Sequence, residues 1–420
     1  MLANYLNKNQ FAKAEIKEKP KSNLKTVIVI PSYDEQELTK TLDSLWKCKR
    51  PVSSVEVIIV INSSEKETKE IILRNEETEI EVKKWIASHK DATFRFHCIN
   101  KKKLPKKHAG VGLARKIGMD EAINRFALIK HKKGIIVSLD ADCLVLQNYL
   151  VEIEKFFEKN PKGTACSIYY EHPISGRIYP RETLKAIIEY ELYLRYYNLS
   201  LRAINFPFAF HTVGSAFAVR ANIYAKQGGM NRKRAGEDFY FLQKIIALGN
   251  FGELNTTKVI PSPRFSARVP FGTGASLRKR EENNEEIKTY NFSAFEDLKI
   301  FLKEIPNFRN IDDRKDFDRI LLKVPKTIAQ FLRVKNFYLS LKKINKNTKT
   351  DESFVKRFHA WFNSFRVLKF LNFAHEFFYQ KINVSISAEI LLKKYIDEKK
   401  EVKNMKELLV FFRKIEKNRK

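Results

Sequence analysis

Two runs rich in β-branched residues, Thr26-Val-Ile-Val-Ile30 and Val55-Glu-Val-Ile-Ile-Val-Ile61, the second broken only by Glu56, constrain the fold of this chain most. Runs without polar alternation suit strands buried on both faces, and such strands belong to parallel sheets covered by helices. Between them, Leu38, Leu42, Leu45 and Trp46 recur at helical spacing. Strand, helix and strand within one short stretch form a βαβ unit, whose crossover is right-handed. The pattern continues with a helical stretch to about Ser88, a strand over Phe94 to Ile99 and a basic loop at Lys101 to Lys107. A helix from about Gly112 to Ile129 and a strand over Gly134 to Leu139 complete it. The expected fold is α/β, a Rossmann-like, mostly parallel open sheet flanked by helices.

In such sheets ligands bind outside the carboxyl ends of the strands. The residues to watch are therefore Ser32-Tyr33-Asp34-Glu35, Asn62-Ser63-Ser64 and Asp140-Ala141-Asp142. Tyr169 to about Leu201 reads as one long amphipathic helical region, followed by a Gly-containing strand candidate over His211 to Val219. Gly228-Gly229 predicts a turn, and Glu237-Asp238 predicts the start of a helix running to Leu248, since carboxylates are favoured at a helix N-terminus. Pro261 to Gly274 reads as a loop. Past about Arg278 the sequence becomes charged, Phe-rich and nearly Gly-free. The expected division is an N-terminal extension over 1–25, an α/β domain over 26–278 and a basic, mainly helical region over 279–420, with no internal repeat.

With 420 residues, 44% of them hydrophobic, the chain can bury a large core, which excludes disorder and a collagen-like fibre. Its 79 Lys and Arg against 49 Asp and Glu leave a net charge of +30, which calls for an anionic partner. Cys48, Cys98, Cys143 and Cys166 lack ligand spacing and read as reduced thiols. The polar, lysine-bearing start has no secretion-signal core, and no apolar stretch approaches the roughly 20 residues of a membrane span. A cytoplasmic protein is expected, with peripheral seating on the inner face of the membrane.

Asp140-Ala141-Asp142 follows a hydrophobic strand and presents two carboxylates one residue apart, a donor set for a hard divalent cation. The same triplet also arises in solvated turns. Glu237-Asp238 reads either as helix capping or as a general base at a cleft edge. His108-Ala-Gly110-Val-Gly112-Leu-Ala-Arg115 reads either as an ordinary loop or as a backbone that approaches a phosphate.

Taken in chain order, Ile30-Pro31-Ser32-Tyr33-Asp34-Glu35, the A-G-x-G-x-A-R-x-x-G pattern of Ala109 to Gly118, Asp140-Ala141-Asp142, Gly228-Gly229-Met230 and Gly236-Glu237-Asp238 resemble the nucleotide-sugar-dependent glycosyltransferase family 2, of GT-A fold. The resemblance covers roughly residues 25 to 275. It implies that Pro31, Tyr33 and Glu35 border the nucleobase and ribose, and that Arg115, with Lys107 or His108 nearby, lies beside the donor. It implies Asp140 near the ribose and metal, Asp142 holding Mn²⁺ or Mg²⁺, and Asp238, beside Glu237, deprotonating an acceptor hydroxyl in an inverting transfer. A nucleotide-sugar donor, UDP-sugar favoured, and a lipid-linked or cell-envelope glycan acceptor are what it implies as partners.

Two departures mark this chain. Asn62 stands at the second strand end, where the family commonly carries an acidic residue that helps read the base, and no histidine occurs between His211 and His359 to supply a further metal ligand. Arg264 and Arg268, in the loop closing the domain, read either as a diphosphate clamp or as a solvated basic loop. In the C-terminal region Lys323, Lys326, Arg333, Lys335, Lys342, Lys343, Lys346 and Lys349 form a basic face. Phe354, Phe358, Trp361, Phe362, Phe365 and Leu368 recur at helical spacing, as a helix packed on its aromatic stripe or one lying on anionic lipid. The competing classes are a nucleic-acid-binding protein and a non-catalytic scaffold of the same fold. No nucleic-acid-binding motif occurs, so no nucleic-acid partner is expected.

Overall fold

The computed structural model describes residues 1–233, 236–264, 286–311 and 313–419. The chain divides into two compact units: residues 1–187, 211–283 and 413–420 form the first, and residues 188–210 and 284–412 the second.

The first unit is built in the order α1 (Leu2–Asn9), β1 (Leu24–Ser32), α2 (Leu38–Trp46), β2 (Ser54–Ser64), α3 (Lys69–Ser88), β3 (Phe94–Leu104), α4 (Val111–Leu128), β4 (Ile135–Ser138), β5 (Cys143–Val145), α5 (Tyr149–Lys159) and β6 (Ala165–Tyr170). Then come α6 (Arg181–Ala203), inside which the division into units falls, β7 (Phe217–Arg220), α7 (Ala221–Lys226), α8 (Glu237–Ile246) and β8 (Phe251–Pro261). The strands form one eight-stranded sheet in the order β3-β2-β1-β4-β7-β6-β8-β5. β1 pairs in parallel with β2 and with β4, and Val27, Ile28, Val29 and Ile30 are fully buried, as a run without alternation requires.

β7 runs antiparallel to both β4 and β6, and β5 antiparallel to β8. Because Ser138 lies opposite Phe217, residues leaving β4 run beside residues entering β7. This one reversal brings the Asp140 segment and the Gly214 segment to the same sheet edge.

α4 has almost no exposed face: every residue from Gly112 to Ile123 is buried. On one side Gly118 meets the sheet so closely that an added Cβ would stand 2.4 Å from Val29 Cγ1. On the other side the first residues of the chain cover it. Tyr5 donates to Asp120 at 2.6 Å, the Phe11 amide donates to Asp120 at 3.0 Å, and the Glu15 amide donates to Glu121 at 3.0 Å. That cover explains why a helix with a hydrophobic neighbour on one side carries buried Lys116, Asp120 and Glu121 on the other, while the buried Arg125 pairs with Glu56 of β2 at 2.6 Å.

Several expectations change. The helix expected from Tyr169 begins only at Arg181, since Tyr169 and Tyr170 end β6 and Pro173, Gly176 and Pro180 interrupt the stretch between. The strand expected over His211 to Val219 is confined to Phe217–Arg220, and residues 211–216 are irregular. β5, β6 and β8 were not expected.

Among its described residues the second unit is helical apart from one pair of two-residue strands. Its core is aromatic: Phe301, Phe308, Phe337, Phe358 and Phe362 are fully buried, and the rings of Phe301 and Phe362 stand 4.9 Å apart. The stretch expected as a single helix through Phe354 to Leu368 is two helices, Asp351–Trp361 and Ser364–Phe377, because the Asn363 side chain accepts from the Arg366 amide and starts the second. Phe354, Phe358 and Phe362 are packed inside the unit, so they offer no apolar surface to lipid.

Candidate active site

At the exit of β1 the chain turns through Asp34, whose φ of +52° is left-handed. Arg74 of α3 grips the Asp34 carboxylate through Nε at 2.5 Å and Nη2 at 3.2 Å, and Asn75 accepts from the Asp34 amide at 2.9 Å. Asn75 also donates to the Asn62 carbonyl at 3.1 Å, and Asn62 donates from Nδ2 to the Ser32 carbonyl at 2.9 Å. Asn62, expected at the base, is 1% exposed and latches the ends of β1 and β2 together. Pro31 is buried and Tyr33 half-buried at the same edge.

Arg115 projects from the first turns of α4 and is 2% exposed. Its Nη2 donates to Asp140 Oδ1 at 2.5 Å and its Nη1 to Glu237 Oε1. A Cβ built on Gly214 would stand 2.8 Å from Asp238 Oδ2 and 3.1 Å from each terminal nitrogen of Arg115. Glycine at 214 is therefore what lets the chain entering β7 pass against both groups. Gly112 works similarly: its missing Cβ leaves room for the Lys233 carbonyl, and Glu237 lies just beyond. Gly112 thus admits neighbouring chain, where the sequence allowed an approach to phosphate.

Glu237 and Asp238 open α8 after Gly236, whose φ of +69° favours glycine. Burial pushes the Glu237 carboxyl up to about 7, against the pull of Arg115. Burial also raises Asp238, again opposed by Arg115, while its Oδ1 accepts from the Phe239 amide at 2.7 Å. Glu237 is sealed behind Arg115, whereas Asp238 keeps partial exposure. A carboxylate tuned upward by burial and fixed by the Phe239 amide is suited to accept a proton.

A second cluster forms around Arg264, just beyond β8. It donates from Nη1 to Glu35 Oε1 at 2.9 Å, from Nη2 to Glu35 Oε2, and from Nη2 to Asp142 Oδ2 at 3.3 Å. The Ser262 amide donates to the Asp142 carbonyl at 3.2 Å, which fixes the end of β8 beside the acidic segment. Thr41 of α2 holds that segment from behind by donating to the Ala141 carbonyl at 2.8 Å.

Among the described residues no three His, Cys, Asp or Glu side chains meet as a metal cage. Asp140 and Asp142 instead offer two part-exposed carboxylates, 37% and 27% by side chain. That donor set fits a hard cation such as Mg²⁺, which is commonly held by one or two carboxylates with substrate phosphates and water completing the shell.

Of the residues singled out by sequence, the fold gathers Arg115, Asp140, Glu237 and Asp238 into one cluster and Glu35, Asp142 and Arg264 into another. Arg268 lies outside the described residues. Gly214, Arg74 and Asn75 were missed, and so was the return of the chain end. Arg413 donates to the His172 carbonyl at 2.8 Å, and Glu416 bonds His211 Nε2 at 2.9 Å, both beside the exit of β6. No local pattern signals a pairing across that many residues.

The sequence model for "Glycosyl transferase family 2" matches residues 27–227. Among solved structures, TarS 1-349 from S. aureus in complex with UDP-GlcNAc is 15% identical over 71% of this chain and 70% of that chain, with a TM-score of 0.39. The mannosyltransferase PcManGT from Pyrobaculum calidifontis in complex with GDP-Man and Mn²⁺ is 16% identical over 89% of this chain and 91% of that chain, with a TM-score of 0.37. No curated protein matches.

Proposed function

We propose, from the premise that residues 27–227 are a glycosyl transferase family 2 domain and the chain is a glycosyltransferase, that it transfers a sugar from a nucleotide diphosphate donor, UDP-sugar favoured, to an acceptor hydroxyl with inversion. The observation that supports this best is the cluster of Arg115, Asp140, Glu237 and Asp238 around Gly214 at the carboxyl edge of the sheet.

Asp238 takes the proton of the acceptor hydroxyl as that oxygen attacks the anomeric carbon. Glu237, sealed behind, sets the charge balance of the pair. Arg115 keeps the Asp140 segment and the start of α8 in fixed relation, so the base does not drift from the donor edge. Pro31, Tyr33 and Glu35 border the nucleoside at the exit of β1. A divalent cation, Mn²⁺ or Mg²⁺, held by Asp142 with Asp140, would neutralise charge on the departing diphosphate. For the acceptor, a lipid-linked or cell-envelope glycan suits the chain's positive charge. Lys342, Lys343 and Lys346, all exposed on the second unit, are suited to an anionic surface.

Thermal stabilisation across a panel of UDP- and GDP-sugars with Mn²⁺ tests this, because ligand at about 100 times its Kd adds about 2.7 kcal/mol of stability. A shift with at least one nucleotide sugar, lost in Asp142→Asn, is expected. No shift with any nucleotide sugar, or a product that retains the donor's anomeric configuration, contradicts it.

A further inference from the structure

We infer that Arg264 is an internal counter-cation of the metal locus: its guanidinium rests against the Asp142 carboxylate until a divalent cation and a diphosphate bind together. This rests on the reading of Asp142 as the metal anchor.

Glu35 is 1% exposed, and a carboxylate so placed needs a cation close by. Arg264 supplies it through two nitrogens, which is a strong, geometrically specific pairing. The contact to Asp142 is different. It is a single donor at 3.3 Å from a nitrogen already engaged with Glu35, so it is the weaker leg and the first to break.

The guanidinium also has capacity to spare. Its Nε is shut off from solvent and has no partner among the described residues. A buried donor without an acceptor is costly, and a phosphate oxygen is an acceptor of the right charge. Glu35 therefore anchors Arg264, while Asp142 holds it only in the absence of something better.

A divalent cation on the Asp142 carboxylate would lie next to a guanidinium already contacting that group. Two like charges at that range oppose each other, and each weakens the other's occupancy. A diphosphate changes the sign of the problem, because it gives both cations a shared anion. Metal and diphosphate are therefore expected to bind as a coupled pair, each raising the affinity for the other by the same factor. Arg264 is a positioning residue in this scheme, acting on the metal through Asp142.

The test is Mn²⁺ binding to the full chain without nucleotide, followed by the electron paramagnetic resonance signal of free Mn²⁺. Arg264→Gln is expected to bind Mn²⁺ about tenfold tighter than the unaltered chain, since a charge within ~4–6 Å shifts a carboxylate's ion affinity by about a factor of ten or more. Arg264→Lys, which keeps the charge, is expected to stay close to the unaltered chain. The gain is expected to vanish in Arg264→Gln combined with Asp142→Asn. An Arg264→Gln protein that binds Mn²⁺ no tighter overturns the role given to Arg264 and leaves Asp142 as anchor standing. A gain that survives Asp142→Asn overturns both.

Discussion

The two aspartates of Asp140-Ala141-Asp142 are one residue apart and receive opposite treatment. Asp140 is bound by Arg115, which is 2% exposed, is rooted in a helix buried on all sides and also holds Glu237. Asp142 is touched by Arg264, whose side chain is 27% exposed and whose stronger bonds go to Glu35. The first arginine is part of the framework. The second reaches Asp142 only through its weaker leg, where another cation can take its place, and this is the ground for proposing Asp142 rather than Asp140 as the metal anchor.

The largest expected difference between the two is in stability. Removing one partner from a buried ion pair costs about 3–5 kcal/mol, because the remaining charge is left uncompensated. Arg115→Met is expected to lose stability of that order in urea unfolding, and Asp142→Asn, which leaves the Arg264–Glu35 pair intact, well under half of it. Equal losses would break the distinction between a fixed and an exchangeable arginine.

Next in size is Gly214→Ala. The added methyl would press on Asp238 and Arg115, and overpacking of this kind typically costs about 1–3 kcal/mol. The same denaturation experiment checks it, and a neutral result would mean that the chain entering β7 is free to yield.

A further difference appears in the pH dependence of stability. Glu237 has a folded-state pKa raised from 4.5 to about 7, so the folded protein holds more protons than the unfolded chain across that interval. This group's contribution to stability is therefore present below about pH 4.5 and is lost as pH rises towards 7. Glu237→Gln is expected to flatten that decline when Tm is followed from pH 4.5 to 7. An unchanged slope would mean that Arg115 already holds Glu237 ionised throughout.

Sequence patterns revealed the half of the sheet that is buried on both faces. β1 and β2 are legible because burial on two sides favours apolar residues, and Val27 to Ile30 record that constraint directly, while the one buried charge of β2, Glu56, is paired with Arg125. β8 is not, since its burial alternates irregularly and Gly252, Asn255, Thr256 and Thr257 interrupt any apolar run. β5 has three residues, too few for a period. β6 runs into residues whose apolar spacing also suits a helix, and Pro180 decides where that helix begins.

In the candidate site, the residue types were readable and their pairing was not. Arg115, Asp140 and Glu237 sit in separate motifs, and only the reversal at β7 and the register of β4 bring them together. The pairing of Arg264 with Glu35 joins the first strand to the last, and that of Glu416 with His211 joins the chain end to the segment before β7. Contacts of such range leave no trace in local spacing.

Whether Asp238 is the base of a transfer carried out at this sheet edge is decided by Asp238→Asn, with turnover and donor affinity measured on the same protein. The amide keeps the shape of the carboxylate and removes its basicity, and general-base assistance is worth about 10²–10⁴-fold in rate. Turnover is expected to fall within that range while donor Kd in the presence of Mn²⁺ stays within about twofold of the unaltered chain. Near-normal turnover with unchanged donor affinity would contradict the assignment of Asp238.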